Sequence, residues 1–218
     1  MSRPSASQPP PEPVVRLLLV AAPLSGSTLP GALFAGVAPT VVALDALRVS
    51  VPWRGELFEL LGEAAAVAAA SPAYLTPTVG LVVPLRWLSA APVPEVVVVS
   101  DHVNTRLRGP LTGRRPVSGP RSRGPQSFPS LTGVYQPETI VRRLRDAVER
   151  RVYSVVAVAG VAKVADLSPF ERRAVAAAGC PAVCDCLIDV AIIAALHGLK
   201  VAACGVPSGH QPPTGRSS

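Results

Sequence analysis

Residues 178–206 read AGCPAVCDCLIDVAIIAALHGLKVAACGV, and this stretch decides the fold. PAVCDCLI is a short apolar run set off by Gly179 and Pro181, which is the pattern of a buried strand. DVAIIAALHG follows as a helix, with Asp189 expected as its N-cap and Gly198 at its end. LKVAACGV is then a second apolar run of strand length. Strand, helix and strand at this spacing form a βαβ unit, so the core is expected to be an α/β sheet.

The pattern extends outward from there. LSPFERRAVAAAG is a fully signalled helix: Ser168 is the expected N-cap, Pro169 takes the first helical position, Glu171 closes a capping box and Gly179 ends it. PETIVRRLRDAVERR places Ile140, Leu144 and Val148 on one stripe, with Glu138 in the first turn and arginines in the last. ELFELLGEAAAVAAA is a helix that stops before Pro72. Strands are expected at 14–21, 95–100, 152–158, 182–188 and 199–205, all in one sheet, with PTVVAL as a further short strand.

Composition agrees with this reading. The chain has 218 residues and is 49% hydrophobic, which suffices for a core without disulfides or metals. Ala, Val and Leu dominate and aromatics are few, as suits a sheet covered on both faces. No apolar run reaches the roughly 18 residues that cross a bilayer, so no membrane role and an intracellular location are expected. Cys180, Cys184, Cys186 and Cys204 lie close together, but their spacing lacks the usual Cys-x2-Cys knuckle and strand neighbours point to opposite faces. They are read as small buried thiols, and neither a metal nor a cofactor is expected.

Charge is concentrated in one place. Residues 103–137 hold Arg106, Arg108, Arg114, Arg115, Arg121 and Arg123 and no acid, while the whole chain carries a net charge of +7. This basic Arg/Gly/Pro loop therefore accounts for nearly all of the excess, and weak binding of polyanions or nuclear import is expected of it. No aromatic residue lies among the arginines to stack bases. Arg114-Arg115-Pro116-Val117-Ser118 also has the form of a basic-directed phosphorylation site. The Pro/Ser-rich residues 1–13 and the tail 210–218 have too little apolar surface to order themselves, leaving 14–209 as the expected folded domain.

Several motifs, in order, are similar to those of the trimeric-type purine nucleoside phosphorylases. Ser100-Asp101-His102-Val103-Asn104 resembles that family's Ser-Asp-His-Ile-Asn, and Gly109-Pro110-Leu111-Thr112-Gly113 resembles its Asn-Pro-Leu-x-Gly. Phe128-Pro129-Ser130-Leu131 with Tyr135 keeps the spacing of its Phe-Pro-x-Met-x-x-x-Tyr. Val152-Tyr153, Val158-Ala159-Gly160 and the C-terminal βαβ unit continue the match. The resemblance implies a three-layer nucleoside-phosphorylase-like α/β fold, a mixed twisted sheet flanked by helices, and trimers as the oligomer.

The same resemblance implies an impaired site. Ser25 and Ser27 correspond to the family's phosphate-binding turn, but its Gly-Arg-x-His-x-Tyr-Glu-Gly loop and Asn-Ala-Ala-Gly-Gly turn have no counterpart. On the base side, Asp185 and Gly209 stand where the family has Met and Asn. Glu171 is either the family's purine-binding Glu or the helix cap already described. His102 is either a general acid or a structural strand-end residue. The expected function is a catalytically inactive relative that works through a protein partner. The alternatives are an active phosphorylase or hydrolase with a rebuilt pocket, and nucleic-acid binding through the arginine loop. The GC-rich amino-acid usage and Pro/Ser tails resemble alphaherpesvirus nuclear phosphoproteins, which implies the host nucleus.

Overall fold

Leu17 and Leu19 of the first strand, β1 (Val14–Val20), bury into one apolar cluster, while Leu18 and Val20 bury into another. A strand whose two faces are both apolar must be covered on both sides. The computed structural model supplies that cover; it describes residues 14–21, 29, 33–34, 40–43, 53–70, 77–106, 109–110, 129–146 and 151–208. The remaining strands are β2 (Thr40–Ala43), β3 (Pro77–Trp87), β4 (Val96–Asn104), β5 (Tyr153–Gly160), β6 (Ala182–Cys184) and β7 (Lys200–Ser208). The helices described in full are α1 (Trp53–Ala69), α2 (Pro137–Asp146), α3 (Pro169–Ala177) and α4 (Leu187–Leu196). Leu57 and Leu61 of α1 join Val190, Ile193 and Ala194 of α4 on one face, and Ile140 and Leu144 of α2 lie on the other. The result is the three-layer arrangement expected from the sequence.

The strands form one mixed sheet in the order β2-β1-β3-β6-β5-β4-β7, with β7 also paired to β3. The extra pairing closes β3, β6, β5, β4 and β7 into a ring. β4 runs parallel to β5 and β5 to β6, while β6 meets β3 and β7 meets β4 antiparallel. All five strands expected to share a sheet do so.

Several elements differ from expectation: β4, β5 and β7 run on to Asn104, Gly160 and Ser208. β3 has no counterpart in the sequence reading, because Pro77, Gly80 and Pro84 interrupt the run as a loop would. The sheet tolerates Pro84 where that edge of β3 changes partner, from β1, last paired at Val82, to β6, first paired at Arg86. The expected strand 182–188 ends at Cys184, and Leu187 and Ile188 belong to α4. Consequently Asp189 is not an N-cap; Cys186 holds that position and makes no capping bond through its side chain. α2 is described to Asp146, and residues 147–150 lie outside the described residues.

β5 ends at Gly160, and a side chain there would collide with Ile188, so only glycine lets α4 seat this close to the sheet. At the other end of α4, Gly198 has a φ of 72°, the left-handed conformation that a helix end takes up readily with glycine. His197 is the C-cap, packed edge-on against Phe58 at 4.6 Å. Burial lowers its pKa, against a hydrogen bond with the Phe58 backbone that raises it.

Candidate functional site

The parallel strands β4, β5 and β6 end side by side, and in α/β folds, open or closed, ligands bind at the carboxyl ends of parallel strands. β4 reaches this edge through an irregularity. Val99 pairs with Val156 but Asp101 pairs with Ala157, so Ser100 is the extra residue of a bulge. A bulge re-aims the side chains beyond it. Past this point the buried run of β4 gives way to alternating half-buried and exposed residues, with His102 half-buried and Asp101 and Val103 exposed.

His102 is brought to Tyr135, whose hydroxyl lies 2.8 Å from its Nδ1, with the two rings edge to face. Residues 134–136 are pinned along β7: the Val201 N–H donates to the Val134 carbonyl at 2.8 Å, and the Gln136 N–H to the Val201 carbonyl at 2.9 Å. Burial lowers the His102 pKa against the pull of Asp101, with Arg106 lowering it further. Burial likewise raises the Tyr135 pKa well above its ordinary value.

Arg106 follows immediately. The Thr105 N–H and hydroxyl both bond the Gly160 carbonyl, at 3.1 and 2.9 Å, tying the ends of β4 and β5 together. The Asn104 side chain accepts from the Arg106 N–H at 3.1 Å, turning the chain. The Arg106 guanidinium then crosses to Asp189 in the first turn of α4 and makes two bonds, of 2.6 and 3.1 Å. The Asp189 side chain is fully buried and that of Arg106 is 9% exposed. Arg106 thus does not belong to a solvated basic loop, and Asp189 forms a buried ion pair in place of the expected cap. Breaking such a pair from one side leaves an uncompensated charge.

Cys184 and Cys186 meet at the same edge, their sulfurs 3.5 Å apart. β6 stops at Cys184, so the chain bends before Cys186 and the alternation assumed for a strand no longer applies. The Cys184 pKa is lowered, first by its bond to Cys186 and then by the amides of Cys186 and Leu187 at the start of α4, against burial. The other two thiols are raised by burial, that of Cys204 to about 12.

The remaining sequence candidates lie elsewhere. Glu171 is exposed on α3, where its carboxylate accepts the Ser168 N–H at 2.8 Å and the Ser168 hydroxyl accepts the Glu171 N–H at 3.2 Å. Those bonds lower its pKa, the backbone N–H most. Ser25, Ser27, Arg108, Arg114, Arg115, Arg121 and Arg123 lie outside the described residues, as do residues 1–13 and 210–218. The sequence reading missed the Arg106–Asp189 pair and the meeting of the two cysteines. The former spans 83 positions and leaves no local signal.

A mixed sheet closed on itself between helical layers is a recognisable class of α/β fold. Isoform 2 of purine nucleoside phosphorylase from Schistosoma mansoni, in complex with cytosine and ribose-1-phosphate, matches with a TM-score of 0.51 and 16% identity over 72% of this chain and 54% of that one. A second purine nucleoside phosphorylase structure from the same organism, in complex with BCX-34, gives a TM-score of 0.49 and 15% identity over 66% and 55% of the two chains. The first of these likenesses shows a distant phosphorylase-like fold, and the chain spans about half the length of both neighbours. No protein-family model matches the sequence, and no curated protein sequence does. No helix among the described residues is long and apolar enough to cross a membrane.

Proposed function

We propose that this protein keeps a phosphorylase-like scaffold without phosphorolysis and acts by binding a protein partner. The observation that carries this reading is the Arg106–Asp189 pair. Phosphate and a departing purine both require positive or hydrogen-bonding groups free to face them as charge develops. Arg106, the arginine at the ends of the parallel strands, is already neutralised by Asp189. Two further features support the reading: Glu171 is bonded within its own helix cap, and His102 is hydrogen-bonded to Tyr135.

The test is release of free purine from inosine or guanosine by excess purified protein with phosphate present. No release above the protein-free control is expected. Each 1.4 kcal/mol of lost transition-state stabilisation is about tenfold in rate, so the loss of several such groups leaves nothing measurable. Phosphate-dependent turnover that disappears in Glu171→Ala would instead establish an active enzyme.

The finer parts of the proposal are a nuclear location, as in the viral phosphoproteins it resembles, and assembly as a trimer. What supports the location is charge. With Arg106 paired, five of the six arginines between 103 and 137 remain, and no acid accompanies them. Replacing Arg114, Arg115, Arg121 and Arg123 by Ala is expected to abolish both nuclear accumulation and retention on heparin without changing the melting transition. Unchanged accumulation would refute the assignment to this segment.

A further inference from the structure

The proposed function makes no use of the Cys184–Asp185–Cys186 turn. One ligand atom from each of these residues, two sulfurs and a carboxylate oxygen, lies within 4.8 Å of the other two. The sulfurs are 3.5 Å apart, far beyond the roughly 2.05 Å of a disulfide bond. Two sulfurs bound to one tetrahedral zinc, each at about 2.3 Å, stand about 3.8 Å apart, so the pair already lies near the span such an ion requires. We propose that Cys184, Cys186 and Asp185 bind a thiophilic divalent cation of the zinc type, with a fourth position left for water or another ligand.

The surroundings suit that ion. Cys184 is fully buried and Cys186 nearly so, whereas Asp185 is half-buried and gives the ion a route from solvent. The backbone amides of Cys186 and Leu187 face the Cys184 sulfur, as outer donors do around bound thiolates. α4 begins at this turn, and its N-cap residue, Cys186, makes no capping bond through its own side chain. Two thiolates and a carboxylate around a divalent ion leave one net negative charge beside that helix N-terminus, which favours it. On binding, each thiol gives its proton to solvent as its sulfur takes the metal, and nothing is oxidised or reduced. The bend between β6 and α4 is what gathers the three groups, and a strand continued to Ile188 would not do so.

The test is titration of the reduced, full-length chain with Co2+, read as thiolate-to-cobalt charge-transfer absorption in the near ultraviolet. Saturation at one equivalent, followed by displacement with Zn2+, is expected. The band should be lost in Cys184→Ser and in Cys186→Ser and kept in Cys180→Ser. Asp185→Asn should keep the band but need more Co2+ to saturate it. Circular dichroism identifies any variant that fails to fold, and the wild-type titration decides independently of the variants. A reduced wild-type chain that shows no band overturns the proposal, as does a band that survives in both folded Cys184→Ser and Cys186→Ser. A chain that forms a Cys184–Cys186 disulfide in air and takes up no cobalt when reduced would also overturn it, in favour of a redox pair.

Discussion

Helices α3 and α4 look alike in the sequence and differ in the structure. Both were expected to open on a polar capping residue and to close before a glycine. In α3 this holds completely: Ser168 and Glu171 exchange their bonds, Pro169 opens the helix, and all of it happens within four residues at the surface. In α4 the apparent cap, Asp189, is the third helical residue and is fully buried, and its partner is Arg106 from the end of β4. An exposed helix end can be stabilised by its own side chains. A buried one is completed by whatever tertiary partner the fold supplies, and the local pattern then misleads.

The comparison can be broken at either helix. The largest effect is expected for Asp189→Ala, which strands the Arg106 guanidinium in a buried site and should cost about 3–5 kcal/mol, read from the chemical-denaturation midpoint. Arg106→Met combined with Asp189→Leu should recover most of that loss, because an apolar pair carries no desolvation cost. If the single change cost no more than a surface substitution, the pair would not organise the start of α4. The smallest effect is expected for Ser168→Ala, about 1 kcal/mol in the same measurement, since it removes one cap and leaves no buried charge. A loss as large as that of Asp189→Ala would show that α3 depends on more than its local capping box.

How much was legible follows the same division. The strands β1, β4, β5 and β7 are continuous apolar runs and could be read directly, and the capping box of α3 lies in consecutive residues. β3 was not read, because its central position in the sheet is a tertiary fact while Pro77, Gly80 and Pro84 are local signals of a loop. In the candidate site, the segment around His102 stood out through its resemblance to a family motif. Its contact with Tyr135 depends on the bulge at Ser100 and on the pinning of residues 134–136 to β7, neither of which has a sequence signature. The meeting of Cys184 and Cys186 is hidden from a strand reading because β6 ends at Cys184.

The closure of the sheet also sets an order of events during folding. β7 is flanked by β3 and β4, pairing Thr78 with Lys200 on one side and Val98 with Cys204 on the other. As a ribosome releases the chain, β3 and β4 emerge well before β7, and each has an open edge until residues 200–208 arrive. No amount of local helix formation can shorten that wait, because the missing partner is remote in sequence. In the interval those edges can capture another chain's strand, so aggregation competes with folding until β7 is in place.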